Sequence, residues 1–286
     1  MRGVPKFFVE AKKPAIDIIN DAAPAIQTRK YGWNAKHKIA VLTNFEYLVI
    51  YDTCYIAHED DGSSVARYRL YHYTEYVEKF SEINGLISRD SVYSGEFDFY
   101  LNENFPAIGG YTQQVDELFL FQINEWRVAL SNELYAKGGR YTSLEVLNDV
   151  VQEFINQIIF LRICEDKNLP LYHKLKDTIT DSTQLKDKLE ELLRAADKRY
   201  NSGIFSGDDI IFDISCDVIK NMIENLYYPQ SPYLFNIIEP NLLGKIYEMF
   251  LTEKLILLDN NVIGLGRKIV KIDRLLLHLQ KLLSTW

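Results

Sequence analysis

The sequence predicts an α+β fold in which a small α/β domain precedes an all-helical domain. Residues 1–75 have the pattern of a strand, a helix and three further strands, which is typical of a helix packed on a small sheet. From Val115 onward, apolar residues recur at the spacing of amphipathic helices. A segment rich in glycine and proline separates the two patterns. We therefore place the domains at residues 1–100 and 101–258, and a basic, leucine-rich tail at 259–286.

The elements of the first domain follow from local signals. The predicted elements are a buried strand within 6–12, a helix over 21–35, two strands within 39–51 and a strand over 66–73. Asp21 can cap the helix, and Pro24 lies in its first turn, where a missing N–H costs little. Thr43 and Asn44 interrupt the apolar run 39–51, which favours a turn between two strands.

The second domain is predicted to be helical throughout. Its predicted helices cover residues 116–135, 142–168, 182–200, 215–227 and 240–251. Ser143, with Glu145 in the first turn, is a start signal for the second of these helices. Residues 91–111 contain three glycines and a proline, and we expect them to form a loop between the domains.

The charge of the chain is unevenly distributed. The net charge is −8, yet residues 1–40 hold eight lysines and arginines against three acids. Such a basic segment can bind phosphate, although an ordinary solvated surface explains it equally well. The chain has no apolar run of about 20 residues, no recognisable secretion signal and no Cys/His pair at zinc spacing. We therefore expect a cytoplasmic protein with no membrane partner.

The opening strand carries a Glu-x-Lys motif at Glu10 and Lys12. Side chains alternate along a strand, so these two residues point the same way and Ala11 points the other way. A carboxylate can help to hold Mg²⁺, and an ammonium can stabilise negative charge that develops on a phosphate. The motif is short, and a surface ion pair is the alternative explanation.

The following helix carries Gln27 and Tyr31, four residues apart and hence on one face. An amide and a phenol can hydrogen-bond a phosphate or a base edge. Arg29 and Lys30 flank them and, together with Lys13, are candidate contacts for the DNA backbone. An exposed glutamine and a tyrosine at the edge of the core would produce the same pattern.

In combination, these segments are more specific. FFVEAKKP, QTRKYGWNA and AVLTNFEYLVIYD together resemble the PD-(D/E)xK nuclease domain of restriction enzymes, most closely of type IIG restriction–modification enzymes. Segments such as FLFQINEWRVALSNELY and FINQIIFLRICEDKNL resemble the helical connector of that family, and the likeness extends to about residue 251. The resemblance implies Mg²⁺-dependent DNA cleavage. Glu10 and the Ala11 carbonyl would bind the metal, Lys12 would be the catalytic lysine, and Gln27 and Tyr31 would support them.

The chain also departs from that family in two ways. The family has an aspartate on the strand before Glu-x-Lys, whereas residues 1–9 contain no acid. We therefore expect an incomplete nuclease site that binds Mg²⁺ weakly and is inactive. The chain also lacks the glycine-rich loop and the Asn-Pro-Pro-Tyr motif of the methyltransferase, so we expect no S-adenosylmethionine site. DNA is the expected partner, and the missing methyltransferase and recognition domains are further candidate partners. The alternative is a non-enzymatic helical interaction or DNA-binding module.

Overall fold

The computed structural model describes residues 5–105, 115–171, 174–201, 204–205, 210–237 and 241–267. It confirms the predicted class, because a four-stranded sheet with its helices is followed by a mainly helical region. No helix within the described ranges has the length and apolar character needed to cross a membrane.

The sheet domain begins with the strand–helix–strand unit that the sequence predicts. Its elements are β1 (Phe8–Ala11), α1 (Ala22–Asn34), β2 (Ile39–Thr43), β3 (Tyr47–Asp52), β4 (Arg67–His72), α2 (Phe80–Ile87), α3 (Arg89–Ser94) and α4 (Glu96–Asn104). The strand order is β1-β2-β3-β4. β1 is parallel to β2 because α1 crosses between them, and the other pairs are antiparallel. Asp21 caps α1 as expected, since its side chain accepts a hydrogen bond from the Ala23 N–H.

The sheet is covered on both faces because the side chains of its strands alternate. Leu42 and Val49 lie on the face that packs against α1, whereas Val41 and Ile50 lie on the face covered by α2, α3 and α4. The sequence predicts a loop over residues 91–111. This prediction is wrong up to Asn104, because α3 and α4 occupy that part of the chain. Ser88 and Gly95 divide this stretch into helices too short to show a helical period, and Gly95 takes a φ of 87° that favours glycine.

The second domain, here the connector, is built around two long helices. Its elements are α5 (Val115–Lys137), α6 (Leu144–Asp166), α7 (Lys174–Thr178), α8 (Leu185–Tyr200), α9 (Cys216–Glu224), α10 (Asn241–Thr252), β5 (Glu253–Leu257) and β6 (Ile263–Arg267). Phe119, Ile123 and Leu130 of α5 and Ile155 of α6 belong to one buried cluster. Ser143 caps α6, as predicted, by accepting a hydrogen bond from the Val146 N–H.

The expectation of an all-helical connector is wrong at its end, where β5 and β6 form an antiparallel hairpin. The tail boundary at residue 259 is also wrong. Ile263 is fully buried, and its backbone N–H and C=O both bond to the Asn132 side chain on α5. Residues 259–267 therefore belong to the connector. The expected leucine-rich helix beyond residue 267 lies outside the described residues.

The Asn132 contacts give a direct test of this boundary. We expect Asn132→Ala to lower the free energy of unfolding by about 1–3 kcal/mol, because two backbone groups of the hairpin lose their partner. Urea unfolding of both proteins measures the change. Asn104→Ala is a matched control. Like Asn132, Asn104 donates a side-chain hydrogen bond to the carbonyl four residues earlier in its own helix. Equal losses in the two variants would contradict the role of Asn132 in holding the hairpin.

Candidate active site

Glu10 and Lys12 lie side by side on the face of β1 that α1 covers. Glu10 pairs in register with Leu42, which packs against α1, and the strand pairing continues through the Lys12 N–H, which donates to the Thr43 carbonyl at 2.8 Å. The Nζ of Lys12 is 2.7 Å from Oε1 of Glu10, and each side chain is 23% exposed. The two groups are therefore preorganised and still reachable from solvent.

The helix α1 adds Gln27 and Tyr31 to this pair. Lys12 Nζ also donates to Gln27 Oε1 at 2.8 Å, and Gln27 Nε2 donates to the Tyr31 hydroxyl at 3.1 Å. Phe8, on the same face of β1, packs against Tyr31 with ring centroids 6.4 Å apart. The four residues thus form one hydrogen-bonded row that joins the strand to the helix. The structure brings them together, while their catalytic roles stay predictions.

The Ala11 carbonyl points to the opposite edge of β1. The C=O and N–H of a trans peptide point in opposite directions. Because the Lys12 N–H is directed at β2, the Ala11 carbonyl is directed away from it. In the described part of the chain, β1 pairs with β2 alone, so this carbonyl faces an unpaired sheet edge.

The residues present do not form a complete magnesium site. Mg²⁺ prefers near-octahedral coordination by oxygen. Here Glu10 and the Ala11 carbonyl offer only a few oxygens, and the Lys12 ammonium already contacts the carboxylate. Among the described residues, no group of three or more His, Cys, Asp or Glu side chains could hold a metal ion. A metal ion at this position would therefore have few protein ligands.

The three basic candidates differ in their surroundings. Lys13 is exposed beside the Glu10–Lys12 pair. Lys30 lies on the rim of α1, with its Nζ 3.5 Å from the ring centroid of Tyr228 in the connector. Arg29 is buried, and it donates to Asp61 at 2.7 Å and to the Ile56 carbonyl at 3.2 Å. The prediction that Arg29 contacts the DNA backbone is therefore wrong, because its guanidinium is used inside the sheet domain.

Asp61 is the partner of Arg29 in this ion pair. Burial raises the pKa of Asp61, but hydrogen bonds from the His58 N–H and from Arg29 lower it overall. The Arg29–Asp61 pair therefore ties α1 to the segment after β3.

The last turn of α1 is docked on the connector by residues that sequence reasoning did not single out. Trp33 belongs to the buried core of the connector. The Asn34 side chain donates to the Pro232 carbonyl and accepts from the Leu234 N–H, both at 2.9 Å. The helix that carries Gln27 and Tyr31 is thus shared by both domains. Nothing in the local sequence signals these contacts, because the partners are about 200 residues apart.

A buried carboxylate reinforces this docking. Asp116, at the start of α5, accepts hydrogen bonds from Lys36 at 2.7 Å and from Lys245. Burial raises the pKa of Asp116, but the hydrogen bonds from these two lysines lower it overall. A lowered pKa means that this contribution to stability is present at neutral pH and is lost as the pH falls below the ordinary value of 3.8.

Gly32 sets how closely α1 approaches the end of β3. A Cβ at this position would come within 2.5 Å of the Thr53 side chain, which is buried and donates to the His37 carbonyl. We expect Gly32→Ala to cost about 1–3 kcal/mol of unfolding free energy, because a β-branched neighbour cannot move aside easily. Thermal unfolding followed by circular dichroism measures it.

Gly85→Ala is the matched control for this prediction. Gly85 also lies in a helix, but nothing lies within 4 Å of its added Cβ. Alanine there should be neutral or stabilising by up to about 1 kcal/mol. A stable Gly32→Ala variant would show that the contact with Thr53 relaxes without cost.

Comparison with known proteins supports the resemblance seen in the sequence. No family model matches the chain, and no solved structure matches it. The chain is 45% identical over 273 residues to the type II restriction enzyme and methyltransferase RM.Eco57I of Escherichia coli. The match covers 94% of this chain but only 27% of that protein's length. The chain is therefore a relative, over nearly its whole length, of a type II restriction enzyme and methyltransferase, which confirms the resemblance to restriction–modification enzymes.

Proposed function

We propose that this chain carries the DNA-cleaving site of a restriction–modification enzyme, with Glu10 and Lys12 as its catalytic pair. The observation that carries the proposal is the hydrogen-bonded row from Glu10 through Lys12 and Gln27 to Tyr31. The proposal is also supported by the 45% identity to a type II restriction enzyme and methyltransferase. The substrate would be a phosphodiester bond of DNA.

The row suggests a distinct task for each side chain. Lys12 would stabilise the negative charge that builds up on the phosphate during hydrolysis. Glu10 would accept a hydrogen bond from the attacking water and orient it. Gln27 fixes the Lys12 ammonium from the side of α1, and Tyr31 fixes Gln27. Such fixed donors and acceptors lower a barrier because they need no reorganisation during the reaction.

Magnesium is part of this proposal, but its binding should be weak. When bound, the ion would supply Lewis-acid activation of the phosphate. Glu10 and the Ala11 carbonyl would hold it, with water completing its shell. A site with so few protein ligands should need metal in the millimolar range, which is roughly the weak end for protein sites of hard cations.

A plasmid-nicking assay tests this function. The chain, in excess over supercoiled plasmid, is incubated with increasing Mg²⁺ or Mn²⁺, and the nicked form is quantified on gels. The missing aspartate alone predicts an inactive site. Because Glu10, Lys12, Gln27 and Tyr31 are already joined by hydrogen bonds, we propose instead slow nicking that rises with metal concentration and stops when the metal is chelated. Rapid turnover at micromolar Mg²⁺ would contradict the incomplete metal site. No nicking at any concentration of either metal would contradict the nuclease proposal itself.

The scarcity of metal ligands favours one second candidate, a non-catalytic DNA-binding or interaction module. Within the described ranges, Glu10 has no neighbouring acidic cluster to complete a metal site. In that case, the chain would bind DNA without nicking it in either metal, and the only effect of Lys12→Ala would be weaker DNA binding.

The absence of an S-adenosylmethionine site and the cytoplasmic location stay predictions.

A further inference from the structure

A groove continues from the candidate active site along α1 toward the connector. Its volume is about 460 Å³. One wall is formed by Ile26, Gln27, Lys30 and Tyr31 of α1, and the other by Tyr228 and Leu234 of the connector. Gln27 and Tyr31 also belong to the row that holds Lys12, so groove and site share a wall. The volume lies in the range of pockets that enclose a small ligand and is too small for a duplex.

The lining of the groove combines an aromatic ring, a cation and a carboxylate. Tyr228 is 58% exposed, although the preceding residues, Leu226 and Tyr227, are buried. Lys30 Nζ is 3.5 Å from the centroid of that ring. A hydrogen bond with Glu59 raises the pKa of Tyr228. Burial lowers the pKa of Lys30, and the Glu59 charge opposes that lowering.

These three groups match the base and the phosphate of a nucleotide. An aromatic face stacks on a base of any sequence, and a lysine neutralises a phosphate. A carboxylate accepts hydrogen bonds from the amino groups of bases. The apolar wall formed by Ile26 and Leu234 would cover the other parts of the base.

We propose that this groove binds one unstacked nucleotide of a DNA strand, next to the phosphate that Lys12 contacts, with Tyr228 as the stacking residue. The inference rests on the proposed nuclease function. It extends that function by assigning a connector residue to the substrate site and by naming a single-stranded or frayed DNA segment as the ligand.

Binding of a fluorescein-labelled single strand of about 12 deoxycytidines, whose bases carry an amino group that can donate to Glu59, is followed by anisotropy at low salt and tests the groove. We expect Tyr228→Leu to weaken binding about 5- to 100-fold, since stacking on an aromatic ring is lost. Tyr228→Phe keeps the ring and should bind within about twofold of the original chain. Tyr93→Leu is a matched control, because Tyr93 is 57% exposed and lies against Arg89 in α3, on the other side of the sheet domain.

Circular dichroism establishes that each variant is folded. If Tyr228→Leu does not fold, Lys30→Gln replaces it, and it should weaken binding and reduce the salt dependence of the affinity. The proposal is overturned if the original chain does not bind the strand. It is also overturned if the folded Tyr228 or Lys30 variant binds as the original does, or if Tyr93→Leu is equally weakened.

The groove and the nuclease function can fail separately. If Tyr228→Leu weakens binding while no preparation nicks plasmid, the groove stands and the proposed function falls. If nicking requires Lys12 but is unaffected by Tyr228→Leu, and the strand binds equally well to that variant, the proposed function stands and the groove falls. A duplex of the same length should bind more weakly than the single strand.

Discussion

Lys12→Ala is expected to slow metal-dependent plasmid nicking by about 100- to 1000-fold, because it removes the side chain that we propose stabilises charge on the phosphate. The ammonium also links Glu10 to Gln27 through hydrogen bonds of 2.7 and 2.8 Å, so its removal breaks the hydrogen-bonded row between β1 and α1. The fold should persist, because Lys12 is partly exposed and ion pairs of this kind contribute about 0–1 kcal/mol. Single-turnover nicking rates and thermal unfolding measure the two effects.

Lys6→Ala is the control for this variant. Lys6 lies two residues before the start of β1. It forms an ion pair with Asp98 of α4, and the N–O distance of 2.7 Å equals that of the Glu10–Lys12 pair. It has no contact with the row, so its loss should leave the nicking rate within about twofold, as for surface substitutions away from a site. Equal loss of activity in Lys6→Ala and Lys12→Ala would indicate that general basicity, and not the position of Lys12, supports nicking.

The convergence of the site could be predicted because two periodicities determine it. Alternation along β1 puts Glu10 and Lys12 on one face, and the helical period puts Gln27 and Tyr31 on one face. The same period explains the error at Arg29. Two residues along a helix correspond to a rotation of about 200°, so a residue two after Gln27 points away from the site. Arg29 accordingly lies buried against Asp61.

The fold was less predictable where glycine interrupts short elements. Gly264 and Gly266 would ordinarily weaken a strand, yet in β6 they lie under the side chains of Leu258 and Ile256. Added Cβ atoms there would lie 2.6 and 3.0 Å from these side chains. Close packing across a hairpin is a property of the pair, and it is not visible in either strand alone.

The contacts between the domains could not be predicted for a different reason. Asn34 bonds to the backbone at Pro232 and Leu234, and such long-range pairs leave no trace in local patterns. Trp33 is equally ambiguous in the sequence, because a tryptophan in the last turn of α1 can face the sheet or the connector. The structure assigns it to the connector core.

Trp33→Ala is therefore expected to lower the free energy of unfolding by about 3–5 kcal/mol, as for a large aromatic removed from a core. Trp33 is 6% exposed and joins the connector cluster from α1, so the loss should fall on the contact between the domains. The helix α1, which also carries Gln27 and Tyr31, should therefore open more often in the variant. Urea unfolding gives the free energy, and native-state hydrogen exchange shows which amides lose protection.

Trp126→Ala separates docking from general core damage. Trp126 is also 6% exposed and belongs to the same cluster, but it lies on α5, within the connector. The two variants should lose similar stability, while protection in α1 falls more in Trp33→Ala than in Trp126→Ala. If exchange changes equally in both, Trp33 is simply one more core residue. If it changes mainly in α1, the connector determines the position of Gln27 against Lys12, and movement of the connector would alter the candidate active site through this helix.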